Sequence, residues 1–145
     1  MSLMSSKGFP SSIERAALRT RGGKYAWPRE YIPRAVGALL ARGYAAVRLE
    51  PWVRQEADTL TRAKMRDGTE APALECKRAV REGWDLFCER CASEALSALQ
   101  RFPEQDVALS GEAKIVYHLA WAIPRERRKA PRELAGPDSL DESAT

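Results

Sequence analysis

The segment AKIVYHLAWAI, residues 113–123, constrains the fold more than any other part of this 145-residue chain. Ile115, Tyr117, Leu119, Trp121 and Ile123 recur at every second position, the period of a strand with one buried face. Val116, Ala120 and Ala122 make the second face largely apolar as well. A strand that is apolar on both faces belongs in the interior of a sheet. Further strands must therefore flank it.

A helical layer is legible upstream. Val80, Trp84, Phe87, Cys88, Cys91, Ala95, Leu96, Leu99 and Phe102 form one continuous stripe at helical spacing, and Pro103 closes it. This predicts a long helix that starts between residues 72 and 80. In WPREYIPRAVGALLARG, Ile32, Val36, Leu39 and Leu40 make a second apolar stripe, and Gly43 supplies the stop. Pro28 suits a first helical position, which places the start near Trp27, with Pro33 disturbing the first turn. Trp27 then sits at the entrance of this helix. In PSSIERAALRTRGG, Ser11 and Glu14 make a capping-box pattern, and Gly22 and Gly23 end a short helix.

The stretch GYAAVRLEPWVR, residues 43–54, reads as a strand with Ala45, Val47 and Leu49 inward. Arg48, Glu50, Trp52 and Arg54 fall on its outward side. Pro51 cannot donate a ladder hydrogen bond, which restricts the strand to an edge or a bulge. Asp67-Gly68 is a turn signal that allows a short strand around residues 59–65. The element order predicts an α+β fold of two layers, a small mixed or antiparallel sheet packed against two to three helices, one of them long.

Charge divides the chain into three. Residues 1–23 form a basic arm with the short helix, residues 24–123 a single α+β domain, and residues 124–145 a charged, weakly packed tail. The net charge of +4 resides in the first 28 residues, where five Lys or Arg face one Glu, while the remainder is balanced. A nucleic-acid binder would carry its excess on the folded face, so nucleic acid is not the expected partner. No apolar run reaches the roughly 20 residues of a membrane span. Three cysteines, an odd number, argue against a disulfide framework and for the reducing cytoplasm.

Candidate chemistry is sparse. Cys88 and Cys91 form a C-x-x-C, and Cys76 and His118 could complete a zinc site. The pair falls on the buried stripe of the long helix, so core packing is the expectation, with no metal and no cofactor. His118 stands alone as the only histidine and reads as a hydrogen-bonded structural group. Ser93 and Ser110 lack the surroundings of a nucleophile, and no glycine loop cradles a phosphate. Catalytic residues are therefore not expected, nor a small-molecule substrate. Glu82, Asp85 and Glu89 read as a solvated helix face laced with Arg78, Arg81 and Arg90. Trp84 and Trp121 read as core. Trp52, on the charged side of its strand, is the residue that suggests a contact surface, because tryptophan and arginine together are enriched at binding hot spots.

The motifs fall in a familiar order. WPREYI heads a helix, LLARGYAAV leads into a strand, REGWDLFCERCASEAL forms the long helix and VYHLAW closes the domain. Across residues 25–122 this resembles the small α+β immunity proteins of bacterial polymorphic toxin systems, and most of all the family called immunity protein forty. Trp27, Leu40, Gly43, Tyr44, Val47, Glu82, Trp84, Arg90, Ala95 and Tyr117 carry the resemblance. It implies a non-enzymatic, cytoplasmic protein that binds and neutralises a cognate toxin domain. Arg48, Glu50, Trp52 and Arg54 are then the candidate partner-binding residues. A regulator that touches nucleic acid through the basic arm is the alternative, and a small metal-dependent enzyme built on Cys88, Cys91 and His118 the third.

Overall fold

The computed structural model describes residues 17–19, 25–55 and 59–124. The expected tail and most of the expected N-terminal helix lie outside these residues. The fold is α+β: one antiparallel sheet with two helices on one face. Its strands are β1 (Leu18–Arg19), β2 (Tyr25–Pro28), β3 (Ala45–Arg54), β4 (Leu60–Arg62), β5 (Leu74–Glu75) and β6 (Lys114–Ala122). They follow the order β1-β2-β6-β3-β4, with β5 also paired to β3. Helix α1 spans Ile32–Ala41 and α2 spans Trp84–Arg101.

The doubly apolar strand β6 is interior, between β2 and β3. Its Tyr117 stands between Trp27 on one side and Pro51 on the other. Trp27, Leu49, Tyr117 and Leu119 meet Ile32, Val36 and Leu39 of α1 and Ala92, Ala95 and Leu99 of α2 in the main core. Each large aliphatic buried here contributes roughly 1.5–3 kcal/mol.

Several expectations change. Trp27 belongs to β2 and is fully buried, so the helix begins five residues later, at Ile32. Pro33 then lies in the first turn, where its missing N–H has no intrahelical carbonyl to serve, and it causes no disturbance. Leu18 and Arg19 pair with Ala26 and Tyr25 as a short strand rather than continuing a helix. The long helix starts at Trp84, later than the stripe suggests, because residues 80 and 81 form a turn; Val80 is 81% exposed instead of joining the core.

The largest correction concerns β3, which is not an edge. It pairs with β6 along nearly its whole length, and with β5 and then β4 on its other side. A bulge lies between Ala46 and Arg48, well before the proline, and breaks the simple alternation. Ala46 and Leu49 join the main core, while Ala45 packs with Cys76, Phe87, Cys88 and Cys91. Pro51 is tolerated in the interior because of what stands opposite. Ala63 donates its N–H to the Pro51 carbonyl at 3.2 Å, and the Ala63 carbonyl accepts the Ala71 N–H at 3.1 Å. The acceptor that a residue with an N–H would have used is already occupied.

Helix α1 ends in a Schellman turn. Gly43 takes φ +78°, its N–H donates to Leu40 O at 2.9 Å, and Tyr44 N–H donates to Leu39 O at 2.9 Å. The Gly43 carbonyl then accepts the Trp84 indole N–H at 2.8 Å, which fixes the start of α2 against the end of α1.

Candidate partner-binding surface

Alternation along β3 sends Arg48, Glu50 and Trp52 to the sheet face opposite the helices. Their neighbours across the strand boundary on β6 are Ala120, His118 and Val116. On the other side, Glu75 of β5 stands opposite Arg48, and Arg62 of β4 stands opposite Trp52. Register alone therefore gathers two arginines and two carboxylates around one tryptophan.

Glu50 is the centre. It is only 2% exposed, and three donors meet its carboxylate. Oε2 accepts from Arg48 Nη2 at 3.0 Å and pairs with Arg62 Nη2 at 3.0 Å, while Oε1 accepts from Trp52 Nε1 at 3.1 Å. Arg48 reaches onward to Glu75 at 2.8 Å, and Arg62 to Glu70 at 3.5 Å. The result is a line of alternating charge, Glu75–Arg48–Glu50–Arg62–Glu70, that crosses three strands and the turn beyond β4. Burial pushes the Glu50 carboxyl up, but the indole N–H, the Arg48 hydrogen bond and the two positive charges outweigh it. Its pKa lies below the ordinary value of 4.5. Arg48 is correspondingly raised, chiefly by its hydrogen bond to Glu50 and against the opposing effect of its own burial.

Three of the four residues singled out by the strand pattern thus form one connected group. Arg54, the fourth, stands exposed at the end of β3, opposite Lys114 and Leu60. Trp52 is half-buried and spends its N–H on Glu50, so it is a structural donor as well as a surface ring. Arg62, Glu70 and Glu75 were not legible as members. They come from short strands and a turn whose pairing partners the local sequence does not specify.

A second polar cluster ties the turn before α2 to the helix itself. Glu82 accepts from Arg90 Nε at 2.8 Å and Nη2 at 2.7 Å, a two-pronged pair, and also from Ala79 N–H at 3.0 Å. Arg90 further donates to Lys77 O at 2.7 Å and to Glu94 at 3.1 Å. The Arg90 hydrogen bonds, aided by the Ala79 amide, hold the Glu82 carboxyl down at about 2. Arg81 in this turn takes φ +79°, unusual for a residue with a Cβ, and the flanking bonds of Arg78 and Glu82 hold it there. Glu82 is therefore committed to Arg90 and is not a free member of a solvated carboxylate face.

The remaining candidates are dispersed. His118 is buried, and its Nδ1–H donates to Tyr25 O at 2.9 Å. Cys88 donates to Gly43 O at 3.6 Å, whereas Cys91 turns to Cys76, with the sulfurs 2.8 Å apart. The two cysteines of the C-x-x-C thus face different neighbours. Among the described residues, no three His, Cys, Asp or Glu side chains converge to hold a metal ion. The Tyr117 hydroxyl donates to Glu104, which also pairs with Arg29 at 3.3 Å. Burial and the Glu104 carboxylate push the Tyr117 pKa up, so the ring anchors β6 to the turn after α2 as a neutral phenol. No helix among the described residues is long and apolar enough to cross a membrane.

No family model matches the chain, no curated protein matches it in sequence, and no solved structure matches its fold.

Proposed function

We propose that this chain is a non-enzymatic binding protein of the immunity type, which sequesters and neutralises a cognate bacterial toxin domain in the cytoplasm. One observation carries the reading: the alternating line of charge centred on buried Glu50. A buried carboxylate holds Arg48 and Arg62 in fixed positions while both guanidiniums keep about a third of their side-chain surface in solvent. Surface arginines ordinarily lose side-chain entropy when they engage a partner. Here that ordering is complete before contact. Fixed charges of alternating sign favour one complementary partner and repel others, which is what a protein that must recognise a single toxin requires.

The partner face matched to this pattern carries carboxylates toward Arg48 and Arg62 and basic groups toward the exposed Glu70 and Glu75. The resemblance of the motifs around Trp27, Gly43, Trp84 and Tyr117 to the immunity families supports the same reading. An Arg48→Ala, Trp52→Ala double variant, assayed for rescue of toxin-arrested cells, tests it. Loss of protection with an unchanged circular dichroism spectrum is the expected result. Full protection by the folded variant would remove this surface from the contact.

A further inference from the structure

Cys76 and Cys91 arrive at one place from separate elements. Cys76 directly follows β5 and is fixed by its N–H bond to Val47 O at 2.9 Å. Cys91 lies on the buried side of α2. Their sulfurs stand 2.8 Å apart, so formation of a bond of about 2.05 Å requires a movement of less than about 1 Å. Cys76 Sγ accepts two donors, the Cys91 S–H and Arg90 Nη1 at 3.4 Å. Both favour a negative sulfur at Cys76, and Arg90 is itself immobilised by Glu82, Glu94 and the Lys77 carbonyl. Cys88 lies one helical turn away and bonds Gly43 instead, which makes it an internal control.

We infer that Cys76 and Cys91 form an oxidative modification site, which closes to an intramolecular disulfide when the protein meets a hydroperoxide. The Cys76 thiolate attacks the peroxide, the O–O bond breaks, and the departing oxygen leaves as water or alcohol with the proton released from the Cys76 thiol. Cys76 is then a sulfenic acid. The Cys91 sulfur attacks it, the S–S bond forms, and the sulfenic hydroxyl leaves as water with the Cys91 proton. Two thiols are oxidised by two electrons and one peroxide is reduced. Burial pushes both thiols up, so closure is slow.

The test uses the full chain, reduced, desalted and treated with hydrogen peroxide. The expected result is a fall from three free thiols to one, a mass loss of two hydrogens, and a cross-link that maps to the peptides of Cys76 and Cys91. Dithiothreitol reverses it. Cys88→Ser leaves the cross-link in place, and Cys91→Ser abolishes it. Three thiols persisting under peroxide that fully oxidises free glutathione would overturn the inference. A cross-link through Cys88, or oxidation to sulfonic acid without a cross-link, would overturn it equally.

Discussion

Ala63 stands opposite Pro51 and donates its N–H to the proline carbonyl, yet its own carbonyl points to Ala71. A proline in an interior strand removes one ladder donor, and the matching acceptor must be satisfied by another group. The chain leaving the turn after β4 provides that group. Pro51→Ala adds a buried N–H whose acceptor is already engaged and loosens the unfolded chain, and is expected to cost about 1–3 kcal/mol. Ala71→Pro removes the donor that serves Ala63 and is expected to cost about 1–3 kcal/mol or more. Urea unfolding of the two variants checks both losses, and a Pro51→Ala protein as stable as wild type would contradict the first.

Glu50 is buried with its charges compensated, so removal of the carboxylate leaves two guanidiniums facing a gap. Glu50→Ala is expected to cost about 1.5–3 kcal/mol, because the Trp52 N–H and two partly exposed guanidiniums lose their shared acceptor. Glu70→Ala and Glu75→Ala, at the exposed ends of the same line, are expected to cost less than about 1 kcal/mol each. Equal losses at all three positions in chemical denaturation would remove Glu50 from the centre.

The Glu82 carboxyl is depressed from 4.5 to about 2 in the folded chain. A group whose folded pKa is lowered contributes stability above its unfolded pKa and loses it as the pH falls through the folded value. Wild type is therefore expected to exceed Glu82→Gln in stability at neutral pH, with the difference shrinking between about pH 4.5 and about pH 2. Thermal midpoints of both proteins across that interval measure it. A difference that stays constant with pH would place the effect in shape rather than charge.

Gly43 holds its left-handed turn with open space where a Cβ would go. Gly43→Ala is therefore expected to cost only the backbone strain, about 1–2 kcal/mol, with no added clash. A larger loss by differential scanning calorimetry would mean that the bond from Trp84 to the Gly43 carbonyl had also been broken.

The layers of the fold were legible because period and composition agree: β6 is apolar on both faces, and the stripe from Trp84 to Leu99 repeats at helical spacing. Boundaries were less legible. The stripe continues to Val80 in sequence, but the turn at Val80 and Arg81 keeps that residue out of the helix. Trp27 reads as a helix entrance because Pro28 follows, whereas pairing with Tyr117 claims it for the sheet. The place of β3 could not be read locally, since Pro51 argues for an edge and only the distant Ala63 and Ala71 resolve the conflict. Three members of the candidate surface, Arg48, Glu50 and Trp52, follow from strand alternation. Their partners Arg62, Glu70 and Glu75 depend on pairing between short strands, which period alone does not specify. The meeting of Cys76 with Cys91 depends on the same long-range placement.

Co-purification decides whether the chain binds a toxin domain. The chain is co-expressed with the C-terminal domain of the protein encoded by the adjacent upstream reading frame, and the mixture is resolved by size-exclusion chromatography at low and high salt. The predicted result is a nucleic-acid-free complex at both salt concentrations with wild type, and an affinity weakened by more than about tenfold in the Arg48→Ala, Trp52→Ala variant. Separate elution of the two proteins, with the chain instead retaining nucleic acid that dissociates as salt rises, would contradict it.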